Sequence, residues 1–197
     1  MTIFRNITEL GKGIAARHGW PAAKAFKAYA MTEADRAALS HCAIELLSLF
    51  PPVAGASVLM SAALAVMLER RMQAPVQVVA GTLAVDGAPV FGNRQPLDGA
   101  ALFADANPAW DGHAWVMVGP YVADVALFRA AYAAWGPARL ARHVDLVFGP
   151  NKGLYVDRWA HTGRQGLSYE PQYVLGTEEV TRQMGAAFHL IKAARGA

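Results

Sequence analysis

The stretch Asp111-Gly112-His113-Ala114-Trp115-Val116-Met117-Val118-Gly119-Pro120-Tyr121-Val122-Ala123-Asp124-Val125 reads as two strands joined by a tight turn. Apolar and aromatic residues fill both runs, and Gly119-Pro120 has turn chemistry. With those two residues as the loop, Val118 faces Tyr121, Trp115 faces Asp124 and His113 faces Ala126. His113 and Asp124 then share one face as diagonal neighbours, with Cβ atoms roughly 7–8 Å apart or less. Asp124 is set among Tyr121, Val122, Ala123, Val125, Ala126, Leu127 and Phe128. A carboxylate in such surroundings needs a partner, because burying it alone is costly. By strand register His113 is the nearest candidate. A carboxylate against imidazole fixes its tautomer and stabilises the imidazolium form. These are two of the three parts of a nucleophilic hydrolase or acyltransferase site. The plainer reading of the same histidine is a hydrogen-bonded structural residue.

Upstream lies Val53-Ala54-Gly55-Ala56-Ser57-Val58-Leu59-Met60-Ser61-Ala62-Ala63-Leu64-Ala65-Val66-Met67-Leu68-Glu69-Arg70-Arg71. A helix is expected to begin between Ala54 and Ser57, with Arg70 and Arg71 suiting the negative end of its dipole. It is apolar all round, so it is expected to be buried, with Ala62, Ala63 and Ala65 allowing close approach of a sheet. First-turn N–H groups and the positive dipole end can hold an oxyanion there, and Ser57 supplies an oxygen side chain. On helix physics alone Ser57 reads first as an ordinary first-turn or N-cap serine.

Residues 1–31 read as amphipathic helix in two pieces, broken near Gly19-Trp20-Pro21. Thr32 is placed to cap a helix that runs to about Leu49, with Asp35 three residues on. Leu39, Cys42, Ala43, Leu46, Leu47 and Phe50 form its apolar stripe. Cys42 therefore reads as a small buried hydrophobe, with nucleophile as the alternative. Residues 75–85 read as a strand, Asp86-Gly87 as a hairpin turn and residues 89–92 as the return strand. Residues 93–111 read as a long loop or short helix over the site. Residues 128–142 read as helix split by Gly136-Pro137, and residues 149–167 as a Gly-containing polar loop. Tyr169–Val174 is expected to be the last strand, with Thr177-Glu178-Glu179 capping a final helix that ends near Ala194.

The 197 residues, 54% hydrophobic and 17% charged, suit a single domain spanning 1–197. Helices occupy 1–50, and 53–197 holds the sheet-bearing core and the last helix. The fold class expected is α+β, a central buried helix on an antiparallel sheet with an N-terminal helical extension. The formal charge of +3 is spread without basic runs, so no nucleic-acid footprint is read. Cys42 is the one cysteine, which excludes an internal disulfide and any Cys-based metal spacing. No phosphate-binding glycine loop is seen, so no cofactor or metal is expected. The first residues lack the apolar core of a signal peptide, and a cytoplasmic location is expected. The uncharged run from Leu46 to Leu68 is long enough to span a bilayer, but Pro51-Pro52 and Gly55 interrupt it, so no membrane partner is expected.

Taken in order, the buried helix from about Ser57 to Arg71, the strand at Val76–Gly81, Gly112-His113-Ala114-Trp115-Val116 and the following Asp124 resemble the transglutaminase-like branch of the papain-like cysteine peptidases. The resemblance covers roughly residues 53–128. It implies a papain-like fold, with His113 and Asp124 as triad members and a nucleophile at the helix start. That position falls at or within a residue of Ser57, so a hydroxyl stands where the family has a thiol. A serine there needs His113 to take its proton. The activity implied is hydrolysis or acyl transfer on a peptide, amide or acyl small-molecule substrate through Ser57, His113 and Asp124. The alternatives are an inactive binding protein that keeps the cleft, and a site built on Cys42.

Overall fold

A computed structural model describes residues 3–93, 95–106 and 108–196. Helix α1 (Ile7–Ala28) is one element interrupted at Gly19, whose φ of +83° and ψ of 164° form a conformation that glycine alone adopts readily. Pro21 follows, so the break falls where the sequence places it. Helix α2 (Glu33–Leu49) opens on a full capping box. The Thr32 hydroxyl accepts from the Asp35 N–H, and the Asp35 carboxylate accepts from the Thr32 N–H. Such a cap contributes about 1 kcal/mol.

Helix α3 (Ser57–Glu69) buries every residue from Val58 to Ala65, together with Leu68. Strand β1 (Val76–Val85) is buried along all ten residues, as a strand covered on both faces must be. It turns at Asp86 and Gly87, both with positive φ, into β2 (Ala88–Phe91). Positive φ at both central residues is the mark of a type I′ hairpin. A short helix α4 (Gly99–Leu102) follows, then β3 (His113–Val118) and β4 (Tyr121–Asp124). Val118 pairs with Tyr121, Met117 with Val122 and Val116 with Ala123, in the register expected. Helices α5 (Leu127–Tyr132) and α6 (Ala138–Val147) flank Gly136-Pro137.

Residues 149–167 differ from the expected polar loop. They contain strand β5 (Tyr155–Arg158), antiparallel to β4, and a 3₁₀ segment, Trp159–Gln165. Four residues, two of them charged, carry too little alternation to announce a strand. β4 supplies the partner that makes one. Strand β6 (Leu167–Val174) and helix α7 (Thr177–Arg195) complete the chain. The cap of α7 is Gly176, one residue before the expected Thr177, and the Glu179 carboxylate accepts its N–H at 2.7 Å.

The six strands among the described residues form one antiparallel sheet in the order β2-β1-β3-β4-β5, with β6 also on β1. The sheet curls. The Tyr155 ring of β5 stacks on Tyr169 of β6 at 5.9 Å, and the Trp159 indole N–H donates to the Tyr169 carbonyl at 2.9 Å. One face, with Val78, Ala80, Ala114, Val116 and Val118, packs on α2, α3 and α7. The other, with Val79, Leu83, Trp115, Met117 and Val122, packs on α1, α5 and α6. The protein is thus α+β with an antiparallel sheet and a buried helix against it. Among the described residues no helix is long and apolar enough to cross a membrane.

Candidate functional site

Asp124 ends β4 with its side chain fully buried. Its carboxylate receives four hydrogen bonds. Oδ1 accepts from the N–H groups of Ala126 and Leu127, both at 2.9 Å, and Oδ2 accepts from His113 Nε2 at 2.6 Å and the Tyr169 hydroxyl at 2.9 Å. The first two satisfy orphan donors at the start of α5, so one side chain ends a strand and begins a helix. All four together compensate a buried charge that is untenable alone.

His113 is the first residue of β3 and pairs with Gly81 of β1. A Cβ on Gly81 meets the Glu170 carbonyl oxygen at 2.1 Å, so only glycine lets β6 approach this closely. The imidazole stacks on Phe91 at 5.1 Å and lies nearly parallel to Trp115 at 6.3 Å. With Nε2 committed to Asp124, Nδ1 is the ring nitrogen left to exchange a proton.

By strand alternation His113 and Trp115 project to the face opposite the one that the body of α3 covers. The tip of α3 nevertheless reaches the same place. Beyond the last β3–β4 pair, Ser57 Oγ accepts the Ala114 N–H at 3.2 Å and Ser61 Oγ donates to the Ala114 carbonyl at 3.0 Å. Ser57 and His113 both line one cavity of about 220 Å³, together with Gly55, Ala56, Trp110 and Gly112. Among the described residues no side chain caps the first turn of α3. Orphan N–H groups of that kind are what an oxyanion site is built from.

The loop leading into Ser57 is held from α5. Arg129 donates to the carbonyls of Leu47 at 2.8 Å, Pro51 at 3.1 Å and Phe50. These lie at and just beyond the end of α2, where a cation suits the helix dipole. Burial pulls the guanidinium below its ordinary pKa.

The three residues singled out in the sequence thus meet around one cavity and its buried wall. Cys42 does not join them. It is buried in the core between α2 and α3, and burial pushes its thiol up, away from the thiolate a nucleophile needs. Two contributors have no local signal, Tyr169 and Arg129. The hint for Tyr169 is arithmetic: a buried carboxylate has about four acceptor sites, and one imidazole fills one. Burial and the neighbouring Asp124 charge raise the Tyr169 pKa well above its usual value, so the phenol stays a donor. Among the described residues no group of three His, Cys, Asp or Glu side chains is placed to hold a metal ion. Comparison with known protein families, with curated proteins and with solved structures gave no match to this chain.

Proposed function

We propose that the chain is a hydrolase or acyltransferase of papain-like, transglutaminase-like architecture, acting on an amide or acyl substrate through Ser57, His113 and Asp124. The observation that carries this reading is the fully buried 2.6 Å bond from His113 Nε2 to Asp124 Oδ2, set in the wall of the cavity that Ser57 also lines. Ser57 Oγ attacks the acyl carbonyl while its proton passes to His113 Nδ1. The tetrahedral oxyanion is held by first-turn N–H groups of α3. Collapse breaks the bond to the leaving amine or alcohol, which takes the proton from Nδ1. Water, or a second acceptor, then attacks the acyl-serine by the same proton path and releases the acid or the transferred acyl product. Asp124 orients the imidazole and stabilises its cationic form.

A second reading is an inert binding protein with the same cleft. What favours it is that Ser57 already accepts the Ala114 N–H and Asp124 already caps α5, so both have structural work. A fluorophosphonate separates the two. The first reading expects Ser57 to be labelled and His113→Ala to abolish labelling, with Asp124→Asn slowing it by about 10⁴-fold, as loss of the orienting carboxylate does in other triads. An unlabelled Ser57 in folded protein rejects the first reading and leaves the second.

A further inference from the structure

We infer that the cavity shared by Ser57 and His113 takes one small apolar or aromatic group, rather than a length of peptide. The inference rests on the reading above for its acyl chemistry, and not for its binding. Size is the first constraint. The cavity measures about 220 Å³, below the roughly 300–1,000 Å³ of pockets that hold drug-sized ligands. A benzoyl or short branched acyl group fits that space, and several residues of chain do not. Its walls are apolar: Val53, Met60, Phe91, Ala126, Ala130 and Trp135. Met60, Ala126 and Ala130 are buried, and Trp135, 42% exposed, forms the rim. Burial against such walls favours apolar surface by about 25 cal/mol per Å².

The apolar lining is the second constraint. Arg129 and Asp111 also line the cavity. Arg129 spends guanidinium N–H groups on three backbone carbonyls and keeps its positive charge. Asp111, exposed beside His113, adds negative charge. Charges of both signs therefore border the cavity, and its apolar wall is what sorts one ligand from another.

The test uses ¹H–¹⁵N spectra of full-length Ser57→Ala protein titrated with benzamide or a neutral capped hexapeptide. Benzamide is expected to saturate and to shift the indole N–H signals of Trp110 and Trp135. Ala130→Phe on α5 and Val53→Trp on the loop, made separately in case one fails to fold, are each expected to weaken benzamide about tenfold by filling the space. No benzamide binding, tighter binding of the hexapeptide, or benzamide binding untouched by both variants overturns the inference. The acyl chemistry is scored apart, on wild-type protein with the fluorophosphonate. Labelled Ser57 with failed titrations removes only the small-group inference. Unlabelled Ser57 with the expected titrations removes only the hydrolase reading.

Discussion

Tyr169→Phe isolates one hydrogen bond without opening a hole. The phenol donates to Asp124 Oδ2 at 2.9 Å, and the residue is 3% exposed. Phenylalanine keeps the ring and its stack on Tyr155, so the change removes one donor from an ionised, buried acceptor. Hydrogen bonds to charged groups contribute about 1.5–3 kcal/mol. Asp124 keeps its bonds from Ala126, Leu127 and His113, so the fold survives. For a chain of 197 residues that loss lowers Tm by roughly 3–12 °C. Tyr155→Phe is the internal control. The Tyr155 hydroxyl is buried with no hydrogen-bond partner among the described residues, so deleting it is expected to be neutral or stabilising. Urea unfolding of both variants, with unchanged m-values, reads the contrast. Equal midpoints for the two variants refute the idea that the phenol supports the acid.

Three further outcomes are expected. Arg129→Ala strips donors from three carbonyls and lowers stability by about 3 kcal/mol or more in urea unfolding, and Arg129→Lys restores part of that. Cys42 is expected to resist a disulfide reagent at neutral pH in native protein and to react at once in denaturant, because it is 0% exposed. Stability is expected to fall at alkaline pH. Burial raises the folded pKa values of Tyr155 and Tyr169 above the ordinary value of 10.0. The unfolded chain therefore loses these protons first. The stabilisation is whole below about pH 10 and declines as pH rises above it. Flat stability between pH 9 and 11.5 in the wild type, or an unchanged slope in Tyr169→Phe, rejects this linkage.

Some of this architecture is legible in residue order alone. The β3–β4 ribbon is, because a two-residue loop leaves a single register, and a lone acid in an apolar strand forces the question of its partner. The break in α1 and the capping box of α2 are legible because Gly19, Pro21, Thr32 and Asp35 act on their own neighbours. Strand β5 is not, because its pairing with β4, as of Tyr155 with Asp124, is decided far away in the chain. Tyr169 and Arg129 are hidden for the same reason. Each serves a group distant in the chain, and the curl of the sheet or the seating of α5 creates the contact. That α3 lies on one face while His113 points to the other is likewise a tertiary fact. Only where β4 stops does the helix tip reach the side on which the imidazole lies.

The six residues of α5 have a consequence beyond their size. At one end they hang from the Asp124 carboxylate, and through Arg129 they grip the segment that delivers Ser57. A brief fraying of this helix therefore removes two donors from the Asp124 carboxylate and the Arg129 hold on Phe50 and Pro51 together. The assembly has one shared hinge-pin, and amide exchange along residues 126–132 reports how often it slips.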